Sequence, residues 1–149
     1  MKSLVLKLYM TFVRMTRLLG WLPPLIARVS VGAVFAETGW GKLHNIDNFA
    51  SYLEKLHVPF AHAQAPFVAT VEAVCGSLLV IGLMTRVVSI PLIIIMVVAV
   101  MTAKSAEINS ATDLFAVFEY LFAVLLVWLA IDGPGPVSVD RIVGIESTT

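Results

Sequence analysis

From residue 87 to residue 103 the chain carries no charged residue at all. A run of that length approaches the roughly 20 apolar residues with which a helix crosses a bilayer. Three further segments resemble it: 25–43, which holds Arg28, Glu37 and Lys42; 66–84, which holds Glu72; and 114–131, which holds Glu119. Composition decides which solvent surrounds them. Apolar residues make up 59% of the 149-residue chain and charged residues 13%, against about 45–50% and about 25% in a soluble domain. Mean hydropathy is +0.94. A domain this small has too little interior to hide so much apolar surface from water. The expectation is an all-α integral membrane protein: a four-helix transmembrane bundle in contact with lipid, preceded by an amphipathic interfacial helix.

The organisation follows from breaks in the pattern. In residues 1–20, Ser3, Lys7, Thr11, Arg14 and Arg17 share one side of a helix, while Leu4, Leu8, Phe12, Met15 and Leu19 occupy the others. A basic amphipathic helix lying on the membrane surface fits this segregation. Lys7 interrupts any signal-peptide core and no small-residue cleavage site follows, so the segment is expected to be retained. Gly20 and Pro23-Pro24 separate it from a transmembrane domain over 21–142, and 143–149 reads as a tail. A polar loop spans 44–65, with a short helix around 48–56. Thr85-Arg86 reads as a tight turn between antiparallel neighbours. The fourth segment reads as continuous and stops at Asp132-Gly133-Pro134-Gly135-Pro136, where proline removes donors and glycine tolerates positive φ.

With four spans, Lys2, Lys7, Arg14, Arg17, Arg86 and Arg141 fall on one side and Lys42, Lys55 and Lys104 on the other. This excess places both termini in the cytoplasm. Ten basic and ten acidic residues balance, and no basic tract suggests nucleic acid. The lone Cys75 excludes an internal disulfide or a CxxC pair and reads as packing. His44, His57 and His62 all lie in one loop at a spacing that matches no common metal site. No histidine stands within a span to ligate a haem. Trp21, Trp40 and Trp128 fall near segment ends, as an aromatic belt requires.

The informative residues are the intramembrane ions. Each costs about 2.5–3.5 kcal/mol on insertion scales, so they face inward and find partners. Arg28, Gly32, Phe35, Gly39 and Lys42 recur at i, i+4, i+7, i+11 and i+14 on one stripe of the first span, and its glycines admit a close neighbour. Glu72 pairs with Arg28 or Lys42, leaving the other cation for Glu119 or water. Depth along the helices favours a single cluster of Lys42, Glu72 and Glu119. Glu37 points the opposite way and is expected to snorkel to the interface.

Two readings of the cluster stand. One is a neutral network that sets helix register. The other is a polar pocket in which Arg28, Lys42, Glu72 and Tyr120 contact a ligand and Glu72 and Glu119 relay protons. The ordered motifs add to this. Arg28-Val-Ser-Val-Gly32, Phe35 through Gly39-Trp-Gly41-Lys42-Leu43, Pro59, Glu72, Gly76, Gly82-Leu83-Met84-Thr85-Arg86, Asp132-Gly133-Pro134-Gly135, Ser138 and Asp140 together resemble the DoxX family of small four-helix membrane proteins. The resemblance covers roughly residues 20–142. It implies a bacterial or archaeal cytoplasmic membrane and association with a quinone-linked oxidoreductase as a partner subunit. The sequence holds no Rossmann fingerprint or thiol pair of its own. A non-enzymatic assembly protein, homo-oligomeric or not, is the alternative. A small-solute transporter is a third, disfavoured by the lack of any visible inverted repeat or broken helix pair.

Overall fold

The computed structural model describes residues 2–104, 108 and 110–144. Residues 145–149 of the tail and 105–107 and 109 of the loop lie outside the described residues. So do the side chains of Lys2, Ser3, Leu4, Val5, Thr11 and Arg17 in the first helix. The described chain is all helical, with no strand among the described residues. In order the helices are α1 (Lys2–Leu18), α2 (Leu22–His44), α3 (Ile46–Lys55), α4 (Ala61–Ile81), α5 (Thr85–Thr102), α6 (Ala111–Ala116), α7 (Phe118–Asp132) and α8 (Val139–Ile142).

Local chemistry sets most boundaries. Pro23 and Pro24 sit in the first turn of α2, where a missing N–H costs no helical hydrogen bond. Gly82 ends α4 in the left-handed conformation (φ 73°), its N–H returning to the carbonyls of Leu78 and Leu79. Leu83 and Met84 complete the turn, so Thr85 and Arg86 open α5 rather than form the connection expected from sequence. The expected short helix of the 44–65 loop is α3.

The fourth apolar segment departs from expectation. Ser110 and Asp113 form a reciprocal capping box that starts a helix at Ala111. Val117 then leaves helical geometry (ψ 128°), and α7 begins anew at Phe118. The continuous span expected over 114–131 is therefore two helices. At about 1.5 Å per residue, α7 by itself is shorter than a bilayer core. Among the described residues two helices, α4 and α5, are long and apolar enough to cross a membrane.

The long helices contact one another in sequence: α2 packs on α4, α4 on α5, α5 on α7, and α7 back on α2, while α3 lies against α4. Their shared interior holds Val31, Phe35, Leu79, Val88, Leu92, Met96, Leu126 and Leu129. The Phe35 and Phe122 rings meet at 6.1 Å. Outside, Phe67, Ile94, Met101 and Phe118 are each more than half exposed. That apolar exterior suits lipid rather than water.

The α2–α4 contact is close for a reason visible in the residues. A Cβ on Gly39 would sit 2.3 Å from the Ala73 nitrogen, and one on Gly76 would sit 2.5 Å from the Ala36 nitrogen. Backbone meets backbone at both positions, as small residues permit between helices in lipid.

Candidate functional site

The buried stripe of α2 is the one expected: Arg28, Gly32, Phe35 and Gly39 are buried, and Lys42 is partly so. Its two cations part company. Near one end of the stripe, Lys42 Nζ donates to both carboxylate oxygens of Glu72 on α4, at 2.7 and 2.5 Å. Glu72 is 1% exposed. The Phe49 ring of α3 covers the ammonium at 4.8 Å, a cation–π contact that helps to hold the charge out of water. Both oxygens of the carboxylate are thus engaged by one cation, with Gly39 of α2 and Gly76 of α4 letting the two backbones come close.

Glu119 lies elsewhere. It is half-buried in the first turn of α7 and lines a cleft of about 390 Å³ with Lys104, Asp113, Ala116, Val117 and Phe118. Neither Lys42 nor Glu72 lines that cleft, and among the described residues Glu119 does not join their ion pair, so the single cluster expected from helix depth is not formed. The expectation assumes an unbroken fourth helix, whereas the chain leaves helical geometry at Val117. Tyr120 packs its ring on Phe115 at 5.3 Å.

Arg28 takes neither carboxylate. Its guanidinium donates to the carbonyl of Pro134 at 3.3 Å and to that of Val137. Asp140 is within electrostatic reach. The Asp140 carboxylate, 2% exposed, accepts from the Met84 and Thr85 N–H groups at 2.6 and 2.9 Å. It thereby satisfies two orphan donors at the start of α5. The Asp140 N–H in turn donates to the Gly82 carbonyl at 3.0 Å. Arg86 donates to the carbonyls of Ala130, Ile131 and Asp132, a cation at the negative end of α7. The segment after α7 is therefore a strap that joins α2, the α4–α5 turn and α7. In the sequence the Gly-Pro run reads as a helix stop, and Asp140 stands out only through the family resemblance. Their chemistry rests on partners more than fifty residues away.

The remaining polar residues scatter. Glu37 is exposed on the side of α2 away from the buried stripe. His44 Nδ1 lies 2.9 Å from the Trp40 carbonyl, and His62 Nε2 lies 3.1 Å from Glu54. Among the described residues no three metal-ligating side chains converge. Cys75 packs against the apolar interior.

The DoxX family profile matches residues 24–105. An uncharacterized membrane protein of Mycobacterium tuberculosis is 32% identical, the alignment covering 80% of this chain and 81% of the relative. No solved structure matches the chain.

Proposed function

This chain belongs to the DoxX family of membrane proteins, and from that premise we propose that it is a membrane-embedded assembly subunit, holding a partner complex in the bilayer without a redox centre of its own. In this reading α2, α4, α5 and the α6–α7 pair form a four-helix transmembrane domain of the bacterial or archaeal cytoplasmic membrane. Both termini face the cytoplasm.

The observation that carries the proposal is on the outward face of α2. Glu37 is exposed there, within the span, and among the described residues its carboxylate meets no donor. Gly41, one turn further, has nothing within 4 Å of where a Cβ would be. Every other helical glycine of this pair is used against its own chain. An acid turned toward lipid is unfavourable by about 2.5–3.5 kcal/mol, and a helix-interior glycine by about 0.5–1 kcal/mol relative to alanine. A helix from another chain, of a partner or of a second copy, relieves both. The test is native electrophoresis of mildly extracted membranes. Glu37→Leu and Gly41→Leu are expected to release the chain from its complex while leaving it folded. Retention of the complex in both variants overturns the proposal.

The partner suggested by the family resemblance is a quinone-linked oxidoreductase. A second reading then gives Glu72 and Glu119 a direct part, as proton relays, with Arg28, Lys42 and Tyr120 as ligand contacts. The cleft at Glu119 favours it, since a polar-lined opening beside aromatic rings suits a quinone headgroup. The closed Lys42–Glu72 pair favours the scaffold. Substituting both charges separates the two. Lys42→Met by itself strands a buried carboxylate and is expected to destabilise the protein by about 3–5 kcal/mol, whereas Lys42→Met with Glu72→Met is expected to restore stability. Under the scaffold reading, the double variant keeps quinone-linked turnover of the complex. Under the relay reading, it folds and turnover is lost.

A further inference from the structure

Glu37 lies deeper along the helices than its distance from the end of α2 suggests. A Cβ on Gly39 would meet the backbone of Ala73, and one on Gly76 would meet that of Ala36. Glu37 therefore stands level with residues 74–75 of α4. At about 1.5 Å per residue, that level is about 11 Å from Gly82 at one end of α4 and about 20 Å from Ala61 at the other. Reaching a headgroup from within a span is a property of the long lysine and arginine stems, and a glutamate side chain does not cover such a distance. The neighbouring residues of this face are mostly small. Ser30, Ala33 and Gly41 are exposed within one arc of about 80° around Glu37. The outward face of α5 is of another kind, with Val87, Ile90, Ile94 and Met101 exposed, as lipid requires.

We infer that this face of α2 receives a transmembrane helix of a different protein, and that this helix carries one lysine or arginine level with Glu37. The inference rests on the assembly reading and names the chemistry of its partner. Two arguments select this occupant over a second copy. The chain's ten basic residues are all placed elsewhere. Lys2, Lys7, Arg14 and Arg17 precede α2, Lys55 ends α3, Arg86 and Lys104 stand at the two ends of α5, and Arg141 is in α8. Arg28 and Lys42 lie on the opposite stripe of α2, donating to Pro134 and Glu72. A second copy thus brings no cation to this depth on an outward face. A twofold pairing of α2 with itself would also set Glu37 against Glu37, where like charges repel. A foreign helix with one cation neutralises the acid, and each charge removes the other's penalty for standing in hydrocarbon. Ser30, Ala33 and Gly41 let the two backbones come close enough to shield the pair from lipid.

The test uses synthetic helices of about 20 leucines and alanines with lysine, leucine or glutamate at the centre. The full chain, carrying Cys75→Ala and a donor fluorophore at Ser51→Cys on the exposed side of α3, is reconstituted with each helix, which bears an acceptor. Energy transfer against probe-to-lipid ratio gives the association. The lysine helix is expected to associate about tenfold more strongly than the other two. A helix with its lysine at one end should lose that preference. Glu37→Gln is expected to bring the lysine and leucine helices level, and Glu37→Lys to favour the glutamate helix. Equal association of the lysine and leucine helices with the unsubstituted chain overturns the inference, as does a lysine preference that survives Glu37→Gln. Self-association of the chain that is lost in Glu37→Leu overturns it in favour of a second copy. If the lysine helix fails while Glu37→Leu and Gly41→Leu still release the chain from its native complex, the assembly reading stands and the basic partner helix does not.

Discussion

Replacing Gly39 by leucine is expected to separate α2 from α4 and to leave little folded protein in the membrane. The added Cβ alone would fall 2.3 Å from the Ala73 nitrogen, 2.8 Å from its Cα and 2.9 Å from the Ala69 carbonyl oxygen. All three are backbone atoms of a helix and cannot swing aside as a side-chain tip can. The helices must move apart, and the Lys42–Glu72 pair one turn away is stretched as they do. Overpacking in a well-filled interior costs about 1–3 kcal/mol, and more where backbone must shift. Here a buried charge pair is lost as well, so a loss of about 3 kcal/mol or more is expected. Unfolding by titration with a denaturing detergent, followed by circular dichroism, measures it. Gly41→Leu, two residues on, is the control: with nothing within 4 Å, it should leave the fold of the single chain unchanged. Equal stability of the two variants would show that the close α2–α4 contact is not what holds the domain together.

Asp140→Ala is expected to have an effect of the same order at the opposite end of the stripe. The substitution unpairs the Met84 and Thr85 N–H groups and takes a carboxylate from beside the buried Arg28. Breaking a buried, hydrogen-bonded charge arrangement by removing one member costs about 3–5 kcal/mol. The consequence reaches α5 and α7 alike, because the strap that carries Asp140 is also held by Arg28 and adjoins the carbonyls that Arg86 closes. A double-mutant cycle with Arg28→Met distinguishes a shared network from independent contacts. The two losses should fall well short of additive. Additive losses, or an Asp140→Ala protein of native stability, would mean that the strap is decoration on a domain that stands without it.

How much of this was legible beforehand differs residue by residue. The stripe of Arg28, Gly32, Phe35, Gly39 and Lys42 could be read because a helix repeats every 3.6 residues and ions avoid lipid. Depth along the helices also favours Lys42 over Arg28 as the partner of Glu72, and those two meet. The partners of Arg28 lie 106 and 109 residues away, in a segment whose path no local rule describes. The break at Val117 was equally hidden. It occurs without proline or glycine, in a run of apolar residues that favours an unbroken helix.

What the sequence by itself determined was the solvent and the helices. Apolar runs of membrane length, ions confined to one face, and prolines and glycines at the ends are statements about neighbours a few residues apart, and short-range sterics and hydration enforce them. What Arg28 meets, where the fourth helix breaks, and what the chain after it fastens were decided only in three dimensions. There the positions of carbonyls and carboxylates depend on how four helices settle against one another. Pairing a buried charge is a long-range matter, because its partner must arrive from another helix at the right depth and angle. No spacing along one strand of sequence records that.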